Sequence, residues 1–161
     1  MKKIVFIIIF ITALTNNSFS AGSSNDSSDV KSNYTKAYNL IKSAKKYEKK
    51  GKTEKAQKRY AKAQKLLLLS NKEKPLQADT LNYLGFTTRK LGDYEAGEEF
   101  YLQGLQIDPN HNGINEYLGE LYVVTNRMDM AKERLEVLKT CDCEEYNELK
   151  EIIEGTKKSK Y

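Results

Sequence analysis

The dipeptide Leu84-Gly85 returns 34 residues later as Leu118-Gly119. A fixed period of that length means stacked supersecondary units, each too small to bury its apolar face without a neighbour. The first copy runs from Ala78 to Asn110 and carries Leu81, Leu84, Gly85, a turn at Gly92-Asp93, Tyr101 and Pro109. The second, from Asn112, keeps Leu118, Gly119, Tyr122, Ala131, Leu135 and Leu138. Apolar residues recurring at three and four place both copies in helical pairs. The spacing predicts helices over about 79–90, 94–107 and 114–125, and a fourth after it. Asp93 and Asp129 are the expected N-caps of the second helices, and Met130, Ala131, Leu135 and Leu138 are expected to face inward. Gly85 and Gly119 let the first helix of each pair approach its second closely.

Upstream, Tyr38, Ile41 and Ala44 line one stripe that stops at Gly51, and Ala56, Tyr60, Ala63 and Leu67 line another. Aligning Gly51 with Gly92 makes this a degenerate third copy from about Ala37, with Ala44 in the glycine position and a second helix lengthened through Leu66 to Ser70. Downstream, Tyr146, Leu149, Ile152 and Ile153 form the stripe of a capping helix over 144–154, with Asp142 and Glu145 spaced as a capping box. Gly155 to Tyr161 is a polar, basic tail, expected to be flexible.

These residues resemble the tetratricopeptide repeat (TPR) family from about Ala37 to Cys143. Gly97, Gly104 and Thr88 depart from its pattern, and the second copy lacks the closing proline. The resemblance implies an all-α, short right-handed solenoid of about three helix-turn-helix repeats, at 37–75, 78–111 and 112–143, plus the capping helix. It also implies a concave groove lined by the first helices and open to a peptide or helix of a partner. Mapped by position, that groove is Asp79, Asn82, Phe86, Arg89 and Lys90 in the middle repeat and Glu116, Glu120, Val123 and Val124 in the last. The degenerate copy would add Tyr38, Ile41, Lys45, Glu48 and Lys49. Phe86, Val123 and Val124 are the expected apolar anchors. Only Asn82 and Lys45 approach the set with which some TPR domains hold a terminal carboxylate, so that ligand is not carried over. The segment LKTCDCEEYNELKEII is similar to the end of small exported TPR proteins of alpha-proteobacteria, which implies a location rather than an activity.

Charge is divided along the chain. Residues 30–75 hold 15 Lys/Arg against 3 Glu, whereas residues 76–161 hold 10 Lys/Arg against 17 Asp/Glu. The basic part offers a patch at Lys45, Lys49, Lys58 and Lys62 that would steer an acidic partner or meet an anionic lipid or envelope polyanion. Nucleic acid is not expected, because no sequence-reading motif accompanies the lysines. Self-association is the remaining alternative.

The first 21 residues have the layout of a secretory signal peptide. Lys2-Lys3 precede an apolar run from Ile4 to Leu14, and small residues lead to expected cleavage after Ala21. Residues 22–33 read as a disordered tether. The mature chain is therefore expected in an exported, oxidising compartment, the periplasm where the cell has two membranes.

No catalytic, cofactor or metal motif is present. His111 is the sole histidine and reads as a solvated turn residue in PNHNG. Cys141 and Cys143 flank one residue, and three readings stay open: a local bridge or structural pair, an exchange-prone or intermolecular thiol pair, or metal or heme handling. The expected function is that of a non-catalytic exported adaptor.

Overall fold

The computed structural model describes residues 32–159, within one compact unit that begins at Lys31. The signal peptide, its cleavage region and nearly all of the tether lie outside the described residues. Seven helices follow in order: α1 (Asn33–Glu48), α2 (Thr53–Glu73), α3 (Ala78–Lys90), α4 (Tyr94–Ile107), α5 (Asn112–Val124), α6 (Met128–Leu138) and α7 (Glu144–Ile153). There is no strand among the described residues. Helices pair as α1 with α2, α3 with α4 and α5 with α6, and α7 lies against α5 and α6. The architecture is a helix-turn-helix solenoid of about three repeats with a capping helix. No described helix is long and apolar enough to cross a membrane.

The helix ends follow local chemistry. Ser32 Oγ accepts from the backbone N–H of Thr35, so two residues expected in the tether instead cap and open α1. Asp93 caps α4 as expected, accepting from Ala96 N at 3.0 Å. Asp129 does not cap α6: Arg127 holds that position, and Asp129 sits in the first turn, where a carboxylate suits the helix dipole. Asp142 is likewise no cap. Its φ is +47°, and Cys143 is the residue that precedes α7. Gly51 and Gly92 take positive φ at the turns of the first two pairs, the backbone region that side chains disfavour.

One continuous core runs through the stack. It contains Ala37, Ile41 and Ala44 of α1, Ala56, Tyr60, Ala63 and Leu67 of α2, then Leu81, Leu84, Phe86, Tyr101, Ile114, Leu118 and Leu121. Ala131 and Leu138 are buried as expected, whereas Met130 is exposed and Leu135 only partly covered. The two repeat glycines differ in what they approach. A Cβ on Gly85 would meet the Tyr101 ring of α4 at 2.5 Å, the contact expected within a repeat. At Gly119 it would meet Leu149 Cδ2 at 2.5 Å, so the close neighbour is the capping helix and not α6. Replacing Gly85 with alanine should therefore cost about 1–3 kcal/mol, because a buried ring must move. Gly119→Ala should cost less, since the end of a leucine can rotate aside. Thermal denaturation of the two variants checks the order, and equal losses would contradict it.

Candidate interaction surface

The first helices of the repeats converge on a buried polar cluster rather than an open groove. Arg89 of α3 is 1% exposed; its guanidinium donates to the Tyr117 carbonyl of α5 and reaches Glu120 Oε2 at 3.4 Å. Glu116 and Glu120 of α5 and Glu148 of α7 bring carboxylate oxygens within 4.8 Å of one another. Lys45 of α1 lies 4.5 Å from the centre of the Phe86 ring and donates to Tyr117 Oη at 3.1 Å. Phe86 is itself clamped between Tyr60 and Tyr117, with ring centres at 5.7 and 5.1 Å. Burial raises the phenol pKa of Tyr117, and Glu116 adds to the effect.

The expected groove is thus corrected in its exposure. Phe86, Arg89, Asn82, Glu116, Glu120 and Ile41 are buried. Lys90 is nearly covered and pairs with Glu48 of α1 at 2.7 Å. Val123 and Val124 are half-buried against the core. Position in the repeat identified which side chains converge, but a stack this short closes over them. The basic patch also changes. Lys45 turns inward, whereas Lys58 and Lys62 line a shallow outer depression with Leu40, Tyr47, Lys55 and Arg59, and Lys49 is exposed at the end of α1. Arg59 hydrogen-bonds the Tyr47 hydroxyl and lowers its pKa.

What stays open lies beside the cluster, at the first turns of α3, α5 and α7. A cavity of about 440 Å³ is lined there by Asp79, Asp108, Glu116 and Glu145, with Asn82, Tyr83, His111 and Tyr117 among its walls. Four carboxylates face it, and His111 is the one lining side chain able to carry a positive charge. Sequence reading placed His111 in a solvated turn, but the structure gives it a bridging task. Its Nδ1 accepts from Ile114 N at 3.2 Å and caps α5, so the ring proton sits on Nε2, 3.1 Å from Asp79 Oδ1 of the preceding repeat. Asn82 is 5% exposed, and its Oδ1 has no hydrogen-bond partner. Gly113 leaves room for that amide, because a Cβ there would stand 2.9 Å from Asn82 Nδ2.

The tail folds back onto the neighbouring part of the same two helices. Lys157 Nζ donates to Glu148 Oε1 at 3.1 Å, and Ser159 Oγ donates to Glu120 Oε2 at 3.3 Å. Cys141 and Cys143 are joined by a disulfide in the turn before α7, with Cα atoms 5.2 Å apart.

Paired helices stacked at a repeat spacing, with no strand among the described residues, define a helical-repeat architecture. Residues 78–111 match the family model of the tetratricopeptide repeat. No curated protein matches the sequence. Among solved structures, the first TPR of Spaghetti (RPAP3), bound to the HSP90 peptide SRMEEVD, is 19% identical, with 79% of this chain and 98% of that chain covered and a TM-score of 0.48. A CopN–Scc3 complex gives 19% identity, 92% and 89% coverage and a TM-score of 0.49.

Proposed function

We propose that the protein is a non-catalytic interaction module that holds a segment of another protein on the side formed by α3, α5 and α7. The observation that carries this reading is the open cavity at the first turns of those helices, the place where the buried face of the repeats reaches solvent. Repeats bury one face against their neighbours and leave the next for recognition. A photo-crosslinking side chain placed at Asp79 should capture peptides selected on the protein from a displayed random library. The same group at Glu99, exposed on α4, should not. Capture from both positions alike, or no enriched peptide at all, sinks the reading.

The module is further proposed to act outside the cytoplasm. The layout of residues 1–21 supports this, and the bridged cysteines are compatible with it. Intact mass of the protein made in a bacterial host should correspond to a chain beginning near Gly22. A full-length product as the main species contradicts export.

A further inference from the structure

The outer face of the first helix pair carries almost a single sign of charge. On α2, Lys55, Lys58, Lys62, Lys65, Leu69 and Lys72 are exposed and recur at three and four, forming one stripe opposite the buried Ala56, Tyr60, Ala63 and Leu67. At helical rise the stripe runs about 25 Å. Ending a stack in water needs only a polar face, and mixed charge serves that purpose. Here the carboxylates are turned elsewhere. Glu48 meets Lys90 at 2.7 Å and Tyr60 Oη at 2.8 Å, and Glu73 lines a separate depression with Asp79 and Thr80. Only Glu54 reaches the stripe, on Lys58 at 2.6 Å. Among the described residues, Lys55, Lys62 and Lys65 pair with no carboxylate. Like charges one turn apart on a helix repel, so the stripe stabilises nothing until an anion meets it.

The shape of the surface says what kind of anion. Beside the stripe, α1 and α2 leave a depression of about 410 Å³ lined by Leu40, Tyr47, Lys55, Lys58, Arg59 and Lys62. Arg59 is held in place there: its guanidinium lies 4.9 Å from the centre of the Tyr47 ring and hydrogen-bonds the hydroxyl. A cation fixed before binding loses less freedom when it pairs. Leu40 and Tyr47 are half-buried among the cations. A flat layer of lipid headgroups would meet the lysine tips and leave these two groups uncovered. An extended chain segment reaches both, because its side chains alternate and recur on one side about every 6–7 Å. That repeat is close to the rise of about 4.5–6 Å between successive stripe lysines, whose long side chains take up the difference.

We infer that this seam binds an extended acidic segment of a partner protein, its carboxylates on Arg59 and the α2 lysines and an apolar side chain between them against Leu40 and Tyr47. The surface is separate from the first turns of α3, α5 and α7, so either recognition can fail without the other.

The test is fluorescence anisotropy of the intact protein with labelled peptides of equal length. The probe alternates Glu and Ser on both sides of a central Leu; in the others Gln replaces Glu, Lys replaces Glu, or Ser replaces the Leu. The probe should bind, more weakly as salt rises, and the Gln and Lys peptides should not. The leucine-free peptide should bind about threefold more weakly or worse. Lys55→Gln with Lys62→Gln and Lys65→Gln should weaken binding of the probe by about tenfold, with helical circular dichroism unchanged because all three side chains are exposed. Lys132→Gln with Lys139→Gln and Lys150→Gln removes the same charge around α6 and α7 and should leave affinity unchanged. Equal affinity for the Gln or the leucine-free peptide, or equal losses in the two lysine variants, overturns the inference. Retention on vesicles of phosphatidylserine and phosphatidylcholine without binding of the probe also overturns it and assigns the stripe to a membrane surface. Absence of probe binding at low salt overturns it too, whatever peptides are captured at position 79.

Discussion

Replacing Arg89 with methionine should lower the unfolding free energy by about 3–5 kcal/mol, the cost of leaving a buried charge without its counter-charge. Arg89 and Glu120 have side chains with no exposure, and Glu116 and Glu148 lie beside them. Without the guanidinium, carboxylates gathered within 4.8 Å of one another lose a cation that lies among them, and the Tyr117 carbonyl loses a donor. The methionine fills most of the volume, so the loss reports charge rather than a cavity. Urea unfolding measures it. The double variant Arg89→Met/Glu120→Gln should recover part of the loss, since both members of the pair are then neutral. A loss below about 1 kcal/mol for the single change would show that the cluster is not the charged keystone of the stack.

The second large effect is alkaline. Burial raises the phenol pKa of Tyr34 and of Tyr122 from 10.0 to about 12 in each case, and those of Tyr60, Tyr83, Tyr101 and Tyr117 higher still. Each folded phenol therefore keeps its proton where the unfolded chain has released it. The stability they contribute is fully present below pH 10 and is lost as pH rises toward and beyond 12. Tyr60 and Tyr101, both fully buried, each remove about 1.4 kcal/mol per pH unit in that window. A domain holding roughly 5–15 kcal/mol cannot absorb this for long when several phenols act together. The tyrosinate absorbance of these six phenols should then appear together with the loss of helical circular dichroism, in one cooperative step above pH 10. Phenols titrating smoothly around 10 with the helices intact would contradict the burial described.

Much of this was legible from periodicity. The four helices of the two exact copies, the Asp93 cap and the Gly85–Tyr101 contact all follow from the repeat frame, because local pattern and tertiary packing agree there. The resemblance to the repeat family also mapped Asn82, Phe86, Arg89, Glu116 and Glu120 to one groove. What it could not supply was exposure. In a long solenoid these positions line a groove, but here Lys45 and the rings of Tyr60 and Tyr117 close on Phe86, and α7 closes on α5. Gly119 meeting Leu149 is the same lesson. Repeat position predicts a neighbour within the pair, yet the capping helix stands outside the repeat and takes the contact. His111 was missed because its cap joins a turn to Asp79 some 32 residues away, a pairing no local pattern encodes. The signal available was an exposed-looking imidazole three residues ahead of Ile114, at capping distance from a helix start.

Recognition at the first turns of α3, α5 and α7 is tested most directly by hydrogen–deuterium exchange of the full protein with and without a peptide enriched on it from the displayed library. Binding should slow exchange at the amides of residues 79–83 and 111–117 and in the first turn of α7, with α2, α4 and α6 unchanged. Protection confined to the lysine-rich outer depression of α1 and α2, or spread evenly over all seven helices, would contradict it.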